Sequence, residues 1–178
     1  SSNLTFPGPP ACGPGTAPRP QAPSACLLLC KNTLGERQRR GGKAPSTGAP
    51  MPKIAHLQAD HYRIPLPRAL EDSMHGTMTV FEVSTAWVTD SDGLTGVGYT
   101  FTCGVNGGAI HNILSREMAP RVMAREADLI EAIWKDLWWA FHYGGRGGPT
   151  VLALSALDMA LWDLKAKRAG LPLYKALG

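Results

Sequence analysis

The rhythm of apolar and polar positions changes along this chain, and each change marks a different kind of structure. Ser1–Pro50 follows neither a period of two nor one of 3.6, so neither strand nor helix is predicted there. In Lys53–Arg63 (KIAHLQADHYR) the pattern predicts an extended, half-buried strand. Pro65 and Pro67 then predict a loop from Ile64. Thr77–Thr89 (TMTVFEVSTAWVT) is dense in Thr, Val and aromatics and predicts a second strand. Asp90–Gly93 (DSDG) has turn chemistry, and Leu94–Thr102 returns as a third strand. The three together predict an antiparallel meander.

The period then switches to that of helices. Ala109–Met118 predicts a short helix stopped by Pro120. Asp128, with Glu131 three residues on, reads as a capping box opening a stronger one. There Ile130, Ile133, Trp134, Leu137, Trp138 and Phe141 form a stripe predicted to be core. Tyr143–Pro149 (YGGRGGP) breaks it. Thr150–Ala169 is the last long helix, with Pro149 in its first turn and Gly170 and Pro172 ending it. Its first two thirds are apolar nearly all round, so it must be buried on several sides. That predicts a neighbour beyond the small sheet and two helices, either a partner chain or more of this chain. The fold class is α+β: a three-stranded antiparallel meander followed by a small helical bundle, over residues 51–178, preceded by a disordered tail.

Composition sharpens the boundary at residue 50. Ser1–Pro50 holds nine of the 15 Pro, seven of the 20 Gly and three of the four Cys. Its six Lys or Arg against one acid, Glu36, give it a net charge of +5. The remaining 12 basic and 13 acidic residues give Met51–Gly178 a net of −1, so the whole-chain +4 belongs to the first segment. That segment has too few large apolar groups to offset the entropy of ordering. Cys26 and Cys30 have no matching Cys or His pair, so they read as ordinary thiols rather than a zinc half-site. The basic run Glu36–Lys43 reads as a solvated tail, and nucleic-acid binding through it is a minor alternative with salt-sensitive affinity as its signature. No apolar run approaches the roughly 18 residues of a membrane span, and a cytoplasmic protein is expected.

Several motifs dissolve on inspection. Asp90 and Asp92 lack the later ligands of a calcium loop. Gly104–Gly108 does not complete a dinucleotide fingerprint, and one RGG is too little for an RNA-binding tract. Asp158 and Asp163 sit five apart on a helix, about 140° round its axis, so they are no carboxylate pair. They read as structural groups bonding to nearby backbone or to an Arg or Lys. Lys165, Lys167 and Arg168 suit the C-terminal end of the helix dipole.

Ala153–Gly178 (ALSALDMALWDLKAKRAGLPLYKALG) closely resembles the signature of the mandelate racemase and muconate lactonizing branch of the enolase superfamily. Ala153, Ser155, Ala156, Asp158, Ala160, Asp163, Lys167, Pro172 and Gly178 fall at the family spacing, and Ala176 departs from it, where leucine is usual. The resemblance covers Met51–Gly178. It implies an N-terminal capping domain over a modified TIM barrel that binds Mg²⁺ through three acidic residues. There a base removes the proton next to a substrate carboxylate, and the metal stabilises the enediolate. None of those catalytic groups or metal ligands is assigned to this chain, which is expected to be inactive without a barrel. Two capping loops are implied to face a small carboxylate substrate. The first, Leu66–Gly76, carries Arg68, Ser73 and His75; the second, Phe101–Gly108, carries Thr102, Cys103 and Asn106. Gly96–Thr100 (GVGYT) and Tyr143–Gly148 (YGGRGG) resemble the acid-sugar dehydratases of the branch more than its cycloisomerases. A racemase or epimerase of the same branch is the alternative, and the full enzyme is expected to be a homo-oligomer. A barrel-less binding or assembly module is the rival class. Because regular patterning begins just after the first Met, Edman sequencing of the native protein is expected to read from Met51.

Overall fold

The computed structural model describes residues 51–178; the expectations for Ser1–Pro50, including the disordered tail and the thiols of Cys26 and Cys30, lie outside the described residues. Three antiparallel strands in the order β1-β2-β3 open the fold: β1 is Ile54–Asp72, β2 Gly76–Asp90 and β3 Thr95–Thr102. Helix α1 (Gly107–Asn112) runs through a π-helical turn (Ile113–Met118) into α2 (Ala119–Val122). Helix α3 is Ile130–Ala140, α4 is Gly148–Arg168, and α5 is the short Leu173–Leu177.

The meander matches the expectation, but β1 does not end at the prolines. It continues to Asp72, pairing Leu70 with Met78, Glu71 with Thr77 and Asp72 with Gly76. The register slips between Pro65 and Leu70, so a bulge holds Leu66, Pro67, Arg68 and Ala69. β1 is an edge strand, where a residue without an N–H costs little, and the bulge takes up the broken ladder. The predicted loop Leu66–Gly76 is therefore the outer arm of a β-hairpin with a tight tip.

Pro120 also fails to stop its helix. The π turn shifts the hydrogen-bond register before it, and Pro120 falls in the first turn of α2, where no N–H is required. Nor does Asp128 cap α3. The N-cap is Leu129, without a side-chain hydrogen bond, and the Asp128 carboxylate instead accepts from the Arg168 guanidinium. Trp134 is the member of the apolar stripe that leaves the core. It is 39% exposed and stacks on Trp138, while Ile130, Ile133 and Leu137 are buried.

The core sits between α4 and one face of the sheet. Cross-strand pairing sets Leu57, Val88 and Gly96 in one row and Ala59, Ala86 and Gly98 in the next. On α4, Ala153, Leu154, Ala156, Leu157, Ala160, Leu161, Leu164 and Ala166 are buried. The chain's own elements thus cover most of the apolar helix, more than expected from a small sheet and two helices; Val151, Leu152, Met159 and Trp162 stay partly buried. The opposite sheet face also carries exposed apolar groups: Tyr99 and Phe101 are 59% and 55% exposed.

Gly96 and Gly98 permit that packing. A Cβ on Gly98 would stand 2.0 Å from the Ala156 carbonyl oxygen, and one on Gly96 2.1 Å from that of Ala160. Replacing Gly98 with Ala is expected to lower the unfolding free energy by about 2–3 kcal/mol, since backbone on both sides must part. Gly108→Ala, where nothing lies within 4 Å, is expected to change it by less than about 0.5 kcal/mol. Urea denaturation of the two variants checks both.

Candidate functional site

Both loops proposed to cap a substrate project from the same end of the sheet. The hairpin arm carries Arg68, Ser73 and His75, all exposed. Arg68 lies in the bulge of β1, and Ser73 and His75 lie in the tip between β1 and β2. Asp72 organises that tip. Its Oδ1 accepts the Met74 N–H at 2.8 Å and the His75 N–H at 2.6 Å, and Oδ2 lies 2.8 Å from His75 Nδ1. Gly76 follows with φ +66°, a conformation that favours glycine. The bonds from the His75 backbone and ring hold the Asp72 carboxyl below its usual range. The imidazole is thereby oriented through Nδ1, with Nε2 left to meet a hydroxyl or carboxylate.

The second loop begins where β3 ends. Thr102 and Cys103 are partly buried and Asn106 is exposed. Asn106 sits in the left-handed region (φ 69°) and leads into α1. Gly104 (φ +85°) folds back against Val80, whose Cγ1 would lie 2.8 Å from an added Cβ. Cys103 is a free thiol.

These six residues form two groups. Glu82, at the base of the second loop, is six residues along β2 from Gly76, about 20 Å of strand. Among the described residues no hydrogen bond joins Arg68, Ser73 or His75 to Thr102, Cys103 or Asn106.

Glu82 was not singled out by the sequence. It is buried, and its Oε2 accepts the Gly107 N–H at 2.8 Å and lies 3.4 Å from Thr102 Oγ1. Arg63 Nη1 and His61 Nε2 stand 3.6 and 3.8 Å from its Oε1. The available signal was its phase: at a period of two Glu82 shares a face with Ser84, Ala86 and Val88, which face α1 and α4. Asp72 was also missed, although an acid three residues before His75 at a hairpin tip fits an Asx turn.

Of the two acids of α4, Asp163 bonds to backbone and to a lysine as expected, whereas among the described residues Asp158 makes no hydrogen bond or ion pair. Asp163 Oδ2 accepts the Val97 N–H at 2.8 Å and pairs with Lys167 at 2.7 Å. Asp158 is half-buried, and desolvation pushes its carboxyl up. Lys165 lies 4.9 Å from the Trp162 ring centre. Among the described residues, no three or more His, Cys, Asp or Glu come together in a way that could hold a metal ion.

Comparison with known proteins agrees with the geometry. Residues 60–178 match the family described as Mandelate racemase / muconate lactonizing enzyme, N-terminal domain, and the chain belongs to that family. A 3,6-anhydro-alpha-L-galactonate cycloisomerase from Streptomyces coelicolor is 46% identical over 125 residues, covering 70% of this chain and 35% of the relative. The crystal structure of a racemase from Streptomyces coelicolor with bound magnesium superposes with a TM-score of 0.64 at 46% identity, covering 65% of this chain and 32% of that one. An L-talarate/galactarate dehydratase from Salmonella typhimurium, liganded with Mg and L-lyxarohydroxamate, gives 0.68 at 30% identity, covering 76% and 36%. The chain thus spans about a third of the length of these relatives.

Ionised Asp72 favours the ordered tip above the ordinary carboxylate range, and that contribution is lost as pH falls through its lowered pKa. Asp72→Ala is expected to speed amide exchange at Met74 and His75 at neutral pH. It should leave the thermal unfolding midpoint essentially unchanged, because the tip is exposed. NMR hydrogen exchange checks the first and thermal unfolding the second.

Proposed function

We propose that residues 51–178 are the substrate-capping domain of an acid-sugar dehydratase. The enzyme would remove the proton next to a hydroxy-acid carboxylate and expel a neighbouring hydroxyl as water. The observation that carries this reading is the pair of polar loops at one end of the sheet of a domain belonging to this family. Arg68 and His75 supply a cation and an oriented imidazole for an anionic, hydroxyl-rich ligand. Thr102, Cys103 and Asn106 supply a second set of polar or soft contacts from a glycine-rich loop suited to opening and closing. The relatives named as dehydratases support the reaction class.

The base, the magnesium and its ligands fall to a barrel domain beyond the described residues, since those residues offer no metal cluster. That barrel and a small carboxylate substrate are the partners of this domain, residues 51–178 alone are inactive, and the full enzyme assembles as a homo-oligomer. A cytoplasmic setting fits a sugar-acid enzyme, and among the described residues no helix is long and apolar enough to cross a membrane. An isomerising outcome is the second reading, favoured by the two Streptomyces coelicolor relatives, a cycloisomerase and a racemase. Both outcomes share the proton abstraction and differ in the fate of the resulting anion.

The test begins with the transcript beyond the codon for Gly178. An open frame of about 200 residues or more, as a barrel requires, is expected. The full-length product should dehydrate an acid sugar in the presence of Mg²⁺. His75→Ala in that product should lower kcat/KM about tenfold, equivalent to about 1.4 kcal/mol. An immediate stop codon sinks the enzyme reading in favour of a binding or assembly module, and epimerised product without water loss selects the second reading.

A further inference from the structure

The Phe101–Gly108 loop is tied at both ends to one side chain. Glu82 Oε2 accepts the Gly107 N–H at 2.8 Å and meets Thr102 Oγ1 at 3.4 Å, so a single carboxylate oxygen spans the loop's two roots. Ser84 Oγ adds a bond to the Gly107 carbonyl at 3.3 Å. The seam is closely packed: a Cβ on Gly107 would lie 2.4 Å from His61 Nε2 and 2.8 Å from Glu82 Oε2. Burying a carboxylate is costly without compensation. Here the compensation comes from the backbone donor opening α1, the Thr102 hydroxyl, and the cationic or ring nitrogens of Arg63 and His61. Between the tied roots, Val105 and Asn106 are exposed, and Gly104 has a conformation rare for other residues.

We propose that Glu82 is the positioning residue of this loop: its buried carboxylate holds Thr102 and Gly107 together and so fixes where Cys103–Asn106 stand above β2. Glu82 touches no reacting group and acts through the loop. A serine or threonine on β2 could fill the space, but neither reaches both roots at once. The consequence for substrate capping rests on the function proposed above. The measurement below uses no substrate, so either can fail without the other.

The experiment is hydrogen exchange by mass spectrometry on the full chain, comparing the peptide Phe101–Ile110 with peptides from the rest of β2 and β3. Glu82→Ala is expected to speed exchange in the loop peptide about tenfold while sheet peptides change far less. Glu82→Gln keeps an acceptor oxygen at the same reach and is expected to restore protection to within about threefold of the native chain. Leu137→Ala, in the buried face of α3 away from the seam, lowers overall stability and is expected to leave the loop-to-sheet ratio unchanged. Gly107→Ala, which forces the seam apart without removing the carboxylate, is expected to raise loop exchange as Glu82→Ala does, and it serves where Glu82→Ala does not fold. The proposal is overturned if the loop in Glu82→Ala exchanges no faster relative to the sheet than in Leu137→Ala. It is also overturned if glutamine fails to rescue, or if Gly107→Ala leaves the loop protected.

Discussion

Helix α4 lies against the bare backbone of β3, and the other contacts of the domain are arranged around that approach. Gly96 and Gly98 open the space, and Ala156 and Ala160 meet them with backbone rather than side chain. At that separation α4 can also reach over the rim of the sheet. Asp163 takes the Val97 N–H, and Lys167 donates to the Thr95 carbonyl at 3.0 Å. A strand edge normally presents unpaired groups that invite another chain. Here a charged pair one helical turn apart satisfies two of them from within.

Arg168 secures the far end of the same helix. Its guanidinium donates to Asp90 at 2.7 Å and also to Asp128, linking α4 to the β2–β3 turn and to the segment before α3. The Asp90 side chain is fully buried and also accepts the Asp92 and Leu94 N–H groups, both at 2.9 Å. One carboxylate thus shapes the turn and receives the helix. A guanidinium suits this place because its planar fork addresses two carboxylates at once, which an ammonium on a flexible stem does less well. Among the described residues the buried Arg168 Nε finds no partner, a cost the two ion pairs must offset. Beyond Arg168 the helix ends in a Schellman arrangement: Gly170 (φ +67°) donates to Lys167 and Leu171 to Ala166.

The meander and the long helix were legible because period, turn chemistry and terminal signals agreed there. Asp90–Gly93 makes its turn, and Gly170 ends α4. Local rules misled where tertiary context overruled them. Two prolines mean a break in a central strand, but β1 has a free edge and a bulge to absorb them. Asp128 had the spacing of a capping box, yet a guanidinium 40 residues away claimed its carboxylate. Trp134 had the spacing of a core residue, but its large ring found a place on Trp138 at the surface. Of the candidate site, the glycine-rich loop after β3 was legible from composition, whereas the segment Leu66–Asp72, read as a loop, is strand. Asp72 and Glu82 were not legible, because a carboxylate that organises backbone leaves no spacing pattern until its distant donors are known.

The bulge at Leu66–Ala69 divides the β1–β2 hairpin into a part bound to the core and a part that is not. Inward of the bulge β1 pairs continuously with β2 from Pro65 back to His56, and β2 from Glu82 onward also pairs with β3, while outward of it the two strands pair with each other alone. Insertions or deletions of two residues per strand in the outer arm would preserve the inward–outward alternation. They would shift the tip by about 7 Å. The reach of Asp72 and His75 can therefore change by whole pleats while the glycine–helix contact beneath remains unchanged, so that the tip and the core can vary independently.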